Sequence, residues 1–228
     1  MYVLKDNIDM AGIYDVITRG TAEIYHQEDQ NIFLKDLRSG AYMLSVNDPE
    51  KGIRWLQERE NTRYDLMELW QKECAEYCRE RYHLDTIMEC RQAVWVKDSI
   101  KPLASSDLQI REPDDQEMEL IFREYNLIPR DEMMQVRALH NIFVGCLSTG
   151  EIAGFIGMHM EGSIGMLEIL PAYRRCGYAA ELEHFMIQRT LEMGLIPFGQ
   201  IEVWNEASIA LQQKMGMTVS EKSVFWLF

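Results

Sequence analysis

One run of residues, 167–180, constrains this chain more than any other: Leu-Glu-Ile-Leu-Pro-Ala-Tyr-Arg-Arg-Cys-Gly-Tyr-Ala-Ala. An apolar stretch of strand character passes straight into a basic, glycine-containing loop, and the loop opens a helix expected to run from about Tyr178 to Met193. Backbone N–H groups at a helix start have no partner within the helix, and the helix dipole favours negative charge beside them. Gly177 lets the backbone come close to a phosphate, Ala179 keeps the first turn clear, and Arg174 and Arg175 add positive charge. Such a segment is an anion cradle. It requires a fold that packs a strand end against a helix start.

The flanking sequence supplies such a fold. Before the cradle come an expected strand at Leu108–Arg111 and amphipathic helices at Asp114–Tyr125 and Asp131–Leu139. A hairpin follows (Ile142–Leu147, a turn at Ser148–Gly150, then Ile152–Met160), and a second turn at Glu161–Ser163 leads into Ile164–Leu170. After the helix, which Gly194 ends, come a strand at Ile201–Trp204, a short helix at Ala207–Met215 and two closing strands. Upstream, the polar segment Asp98–Asp107 with Pro102 reads as a linker. It places one domain at 1–103 and another at 104–228.

The first of these reads as a small α/β layer. Ile8–Ile17 has helical apolar spacing, and Ile32–Leu34 and Tyr42–Val46 read as strands around a turn at Ser39-Gly40. Pro49 opens a helix. Asp65–Arg81 reads as one long charged helix with Leu66, Leu69, Trp70 and Cys74 on a stripe, and Ala93–Val96 reads as the strand that closes the unit. It carries no chemical signature of its own.

Composition narrows the function. With 47% hydrophobic and 26% charged residues the chain has the material for a sizeable core. No stretch approaches the roughly 18 apolar residues of a membrane helix, and acid and amide groups interrupt the first residues before a signal peptide could form. Five cysteines, an odd number, fit reduced thiols better than a secreted disulfide framework. The expectation is a cytoplasmic protein.

The net charge is −14. Residues 1–103 contribute −5 and residues 104–228 contribute −9. So acidic a surface repels phosphate backbones and attracts cations, which disfavours nucleic acid as a partner and favours a cationic amine. Cys74 and Cys78, with His83 and Cys90 beyond, fit no familiar zinc spacing and read as core. No metal is expected. His159 and His184 also read as structural.

The cradle resembles the pyrophosphate loop of the GCN5-related N-acetyltransferase (GNAT) superfamily, Gln/Arg-x-x-Gly-x-Gly/Ala, through Arg174, Gly177 and Ala179, with Pro171 and Tyr173 in the usual preceding run. The superfamily's C-terminal signature is matched in spacing by Asn205, Ser208, Leu211, Gln212, Gly216 and Met217. The resemblance covers residues 108–228, and the Leu-Pro-x-x-Arg run and the ending look closest to the glycine N-acyltransferase-like branch. It implies the GNAT fold, a mixed and mostly antiparallel central sheet flanked by helices (α/β, or α+β), preceded here by a smaller α/β domain.

The resemblance further implies an acyl-CoA co-substrate, most simply acetyl-CoA, and direct transfer of the acyl group to a primary amine of a small molecule or amino acid. The alternative is an acyl-CoA-binding sensor or scaffold with little catalysis. Expected cofactor-binding residues are Ile169 and Leu170 along the strand, Arg174, Arg175, Cys176, Gly177, Tyr178 and Ala179 in the loop, and Asn205, Ser208 and Lys214 beyond. A backbone N–H near Ile169 or Leu170 would polarise the thioester carbonyl. The candidates for general base are Glu168, Glu202 and Glu161; Ser163 occupies the position closest by spacing to the family's glutamate. Gln212 stands where the family has its tyrosine acid. A homodimer is compatible with all of this, and a membrane partner is not expected.

Overall fold

In a computed structural model, residues 7–59, 61–103 and 106–228 are described. The expected linker's residues 104 and 105 and the first six residues lie outside that set. A single eleven-stranded sheet runs through the described chain in the order β1-β2-β3-β4-β11-β5-β10-β9-β8-β7-β6.

The N-terminal half contributes β1 (Ala22–Glu28), β2 (Asn31–Asp36), β3 (Tyr42–Ser45), β4 (Met67–Leu69) and β5 (Ile87–Val94), with helices α1 (Ala11–Arg19), α2 (Pro49–Gln57) and α3 (Lys72–Tyr82). Local signals fix several of these. Gly20, at φ 74, ends α1, and Asp48 accepts from the Glu50 N–H just ahead of Pro49 at the start of α2. The β2–β3 hairpin is tied at its turn by Asp36, whose carboxylate receives the N–H groups of Arg38 and Ser39 and the Ser39 hydroxyl. That hairpin, α1 and α2 lie where hydrophobic spacing places them.

Two expectations for this half are corrected. Residues 65–81 are not one helix: β4 runs extended between β3 and β11, and α3 begins only at Lys72. Met67, Glu68 and Leu69 are all buried in the sheet, so strand pairing on both sides overrides the helical spacing. The strand around Ala93 does not close the N-terminal layer. β5 lies in the middle of the sheet, antiparallel to β11 on one side and to β10 on the other.

The C-terminal half holds β6 (Gln109–Arg111), α4 (Asp115–Glu124), α5 (Arg130–Ala138), β7 (Ile142–Cys146), β8 (Ile152–Met158), β9 (Ile164–Ile169), α6 (Tyr178–Glu192), β10 (Phe198–Glu202), α7 (Glu206–Met215) and β11 (Thr218–Leu227). A reciprocal capping box, Asp114 with Glu117, opens α4. In place of two closing strands there is the single β11, with a register irregularity between Val219 and Ser223 where it pairs with β5. Leu182, Met186 and Ile187 of α6 pack with Phe143, Ala153, Ile156 and Ile164 on one side of the sheet. Met118 and Ile121 of α4 and Met133 and Val136 of α5 pack with Val144, Phe155 and Met166. The segment between β5 and β6 is tied to α6 at both ends: the Ser106 hydroxyl and the Asp107 N–H both donate to Glu181, and His184 Nε2 lies 2.7 Å from the Lys101 carbonyl.

Candidate active site

The site begins where two parallel strands part. β9 and β10 pair only at Ile164 and Gly199, and beyond that point their ladder stops. A Cβ built on Gly199 would lie 3.0 Å from the Ile164 carbonyl, so a larger residue would crowd this junction. Just past it β9 carries a bulge. Phe155 faces Glu168 and Gly157 faces Gly165, which leaves Met166 and Leu167 opposite the single residue Ile156. Met166 adopts φ 52, a left-handed conformation costly for a side chain with a Cβ and held here by burial in the core beneath α4 and α5. A bulge bends its strand, and this one lies just past the point where the β9–β10 ladder stops. Ile164 and Met166 are buried, whereas Leu167, Glu168 and Ile169 are half-exposed, so the cleft lies along the second half of the strand.

The register gives the direction of each backbone group along that cleft. The Leu170 N–H donates to the Ala153 carbonyl at 2.9 Å. Gly154 and Ile169 are therefore a non-hydrogen-bonded pair, and the N–H and C=O of Ile169 point away from β8 toward the parted side. Arg174 Nε does reach the Ile169 carbonyl there, at 3.0 Å. The expectation of a polarising donor at Ile169 or Leu170 thus narrows to Ile169, since the Leu170 N–H is already spent on β8. Gly154 is what allows β8 and β9 to lie so close: a Cβ there would come within 2.4 Å of the Glu168 carbonyl.

A loop and a helix start follow. Pro171–Tyr173 form a 3-10 turn, Arg175 takes φ 68, and Gly177, at φ 94, is the N-cap of α6 with no side-chain hydrogen bond to the helix start. Loops with left-handed residues gather successive N–H groups into anion-binding hollows. The Gly177 carbonyl accepts from the N–H groups of Ala180 and Glu181, which leaves those of Tyr178 and Ala179 without a helical acceptor. Arg174, Arg175, Cys176 and Gly177 are all exposed. No atom lies within 4 Å of a Cβ built on Gly177, so the space over the helix start is open. These features fit a pyrophosphate group. Arg174 also folds back on β9, with Nη2 2.9 Å from Glu168 Oε1.

The other expected residues divide. Asn205 is the N-cap of α7, its side-chain oxygen accepting from the Ser208 N–H at 3.1 Å, and Lys214 is exposed on the last turn of that helix. Glu202, at the end of β10, accepts from the Trp204 indole N–H. Glu161 is buried in the β8–β9 turn and accepts from the hydroxyl of Ser163, itself buried. The ring of His159 lies against Gly165, where a Cβ would meet its Nε2 at 2.6 Å.

Glu161 and Glu202 come into one neighbourhood through a residue the sequence did not single out, Tyr125 in the loop after α4. Burial keeps the Tyr125 hydroxyl well above the ordinary tyrosine range, and the charges of Glu161, Glu132 and Glu202 push in the same direction. Glu132 of α5 is itself raised, chiefly by burial, with His159 opposing and Glu161 adding to the shift. Tyr125 follows α4 in a loop with no motif, so only tertiary packing brings it beside these carboxylates. Glu168 is paired with Arg174.

Gln212 is buried against Glu183 of α6, which is 1% exposed and whose carboxyl is raised by burial to about 7. Among the described residues no group of three or more His, Cys, Asp and Glu is arranged to hold a metal ion, and no helix is long and apolar enough to cross a membrane. Cys74 and Cys78 pack with Leu44 and Leu69, and burial pushes the Cys74 thiol up to about 12.

Known proteins share this architecture. The acetyltransferase (GNAT) family profile matches residues 98–217. No curated protein matches the chain significantly. Among solved structures, a Drosophila protein superposes with a TM-score of 0.66 at 17% identity, over 87% of this chain and 73% of its own. A GCN5-related N-acetyltransferase from Kribbella flavida gives 0.55 at 10% identity, over 96% and 93% of the two chains. A GCN5-related N-acetyltransferase-like protein from Streptococcus suis gives 0.53 at 14%, over 97% of each. At such identities the superpositions speak for the fold, and the profile match, spanning more than half the chain, speaks for the family. With strands that part beside an uncapped helix start, the chain belongs to the GNAT acetyltransferase family.

Proposed function

We propose that the protein transfers an acyl group, most simply acetyl, from coenzyme A to the primary amine of a small molecule or amino acid. One observation carries the reading: the Ile169 edge of β9, turned away from β8, leads directly into the open, uncapped start of α6. A pantetheine amide can pair with the strand edge while the pyrophosphate sits at the helix start.

The chain's own groups have distinct tasks. The loop from Arg174 to Ala179 holds the diphosphate by charge and by backbone N–H groups. The Ile169 N–H donates to the thioester carbonyl oxygen, where negative charge grows as the amine attacks. Glu161, buried in the turn ahead of β9 and close to Tyr125, is the carboxylate we assign as general base; it takes the proton the amine must lose. Tyr125, whose hydroxyl burial holds above its ordinary range, serves as a hydrogen-bonding group for the acceptor. The thiolate of coenzyme A, to judge by a cysteine pKa of about 8.5, leaves without a dedicated acid. The carboxylates of Glu132, Glu161 and Glu202 around Tyr125 favour a cationic acceptor.

A specific observation supports a second reading. Gln212 stands where the family's tyrosine would be and is buried against Glu183, which suits an acyl-CoA-binding sensor that turns over poorly. Thermal-shift titration with acetyl-CoA, free coenzyme A and longer acyl-CoAs, followed by thiol-release assays with an amine panel, separates the two. Saturation at about 100 times Kd stabilises the fold by roughly 2.7 kcal/mol. Stabilisation with thiol release supports the enzyme, stabilisation without it supports the sensor, and no stabilisation by any of them overturns both.

A further inference from the structure

The N-terminal half reaches into the β8–β9 turn at one place. Arg19, at the end of α1, donates through Nη2 to the Glu161 carbonyl and through Nη1 to that of Met160 at 3.5 Å. Arg38, in the β2–β3 turn, donates through Nε to the Met160 carbonyl and through Nη2 to that of His159 at 3.4 Å. Three successive carbonyls of the turn, 159 to 161, are thus held by two guanidinium groups more than a hundred residues away in sequence.

The clamp is itself braced. Arg19 pairs with Asp15, and the two side chains are only 7% and 1% exposed. Arg38 follows the Asp36 knot that ties its own turn. Gly162, at φ 106, is pressed against this pair: a Cβ there would lie 2.2 Å from Asp15 Oδ2 and 2.9 Å from Arg19 Nη2. At that φ a residue with a Cβ is strained, and the Cβ would have to displace the Asp15–Arg19 pair, so the turn is seated against the end of α1. Within the turn, the Glu161 side chain points to Ser163 and stands near Tyr125 and Glu132, while its backbone is gripped from behind.

We propose that Arg19 and Arg38 are positioning residues that fix the β8–β9 turn so that the Glu161 carboxylate is held at the acceptor end of the cleft, which makes the N-terminal half a working part of the acyltransferase site. The proposal rests on the role given to Glu161 above. A guanidinium suits the task, because its planar fork spans neighbouring carbonyls and keeps its charge when partly buried. Side chains left to find their place alone lose rate steeply, since small displacements of a catalytic group are costly.

The test uses the full chain with acetyl-CoA as donor and glycine, n-butylamine and putrescine as acceptors. Variants are Arg38→Met, Arg38→Lys and Glu161→Gln, with Arg38→Met/Glu161→Gln as the double variant. Read-outs are kcat, the acetyl-CoA Kd from thermal shift, and hydrogen exchange at residues 159–163. The expected result is a fall in kcat of at least tenfold in Arg38→Met with the Kd unchanged within twofold, faster exchange in the turn, partial recovery in Arg38→Lys, and no further loss when Arg38→Met is added to Glu161→Gln. Unchanged kcat in Arg38→Met, or losses that multiply in the double variant, overturn the positioning role. A fully active Glu161→Gln overturns the base assignment and the proposal with it, while leaving the acyltransferase reading in place. Absence of thiol release by the wild-type protein with every acceptor is the separate failure of that reading.

Discussion

Arg174 Nη2 lies 2.9 Å from Glu168 Oε1, and the same guanidinium donates through Nε to the Ile169 carbonyl. One side chain of the anion loop therefore closes over the very strand edge along which the pantetheine would run. The pair is solvent-facing, with 57% and 34% of the two side chains exposed, so it contributes at most about 1 kcal/mol to folding. A diphosphate with two negative charges is a stronger competitor for Arg174 than one carboxylate.

Replacing Arg174 and Arg175 together by Ala is expected to leave the melting temperature of the free protein within a few degrees and to raise the acetyl-CoA Kd by about tenfold or more, the worth of one or two charge-assisted hydrogen bonds. Calorimetric titration measures it. An unchanged Kd would remove the loop from the cofactor site.

Glu168→Gln distinguishes Glu168 from Glu161 as the working carboxylate. With the base assigned to Glu161, loss of the Glu168 charge frees Arg174, so acetyl-CoA should bind as tightly as before or more tightly, with kcat within about threefold. Glu161→Gln should cost about a hundredfold in kcat, within the range for loss of a general base, with cofactor binding intact. Steady-state kinetics of both variants would exchange the two roles if the losses came out reversed.

Gly154→Ala and Gly177→Ala break different rules. At Gly154 a Cβ meets the Glu168 carbonyl at 2.4 Å, so β8 and β9 must move apart, at a cost of about 1–3 kcal/mol and with disturbance of the Ile169 edge. At Gly177 the space is open, but φ 94 strains any residue with a Cβ by on the order of 1 kcal/mol. Chemical denaturation should rank Gly154→Ala as the more destabilising, and acetyl-CoA should bind both more weakly than it binds wild type.

Glu183 makes stability depend on pH. Burial raises its carboxyl from an ordinary value of 4.5 to about 7, so in this window the folded protein binds a proton that the unfolded chain does not. Its contribution is fully present below about pH 4.5 and is lost as pH rises toward 7, a difference on the order of 3 kcal/mol. Asp15, raised to about 6 chiefly by burial despite Arg19, acts in the same direction. Glu183→Gln should therefore be more stable than wild type at pH 8 and lose that advantage at pH 5, as urea unfolding at the two values would show. Equal differences at both would place Glu183 in contact with water.

Some of this architecture was legible in the chain. The anion loop, α6, the capping box of α4 and the hairpin of β2 and β3 rest on local chemistry: left-handed glycine, side-chain caps, apolar periodicity. Such signals act over a few residues, and a sequence displays them directly. Residues 65–81 misled because the same apolar spacing that suits a helical stripe also suits a short buried strand followed by a helix. Only the neighbours β3 and β11, supplied from distant parts of the chain, decide between them.

The family, and the basic loop that opens α6, were thus legible in the sequence alone. Tertiary structure decided the direction of each N–H along β9, the insertion of β5 between β10 and β11, the gathering of Tyr125, Glu132, Glu161 and Glu202, and the grip of Arg19 and Arg38 on the β8–β9 turn. The physical reason is range. A cap or a turn is settled by groups a few ångströms apart along the chain, whereas strand register, the burial of a carboxylate and the reach of a guanidinium depend on surfaces that exist only once the sheet has closed.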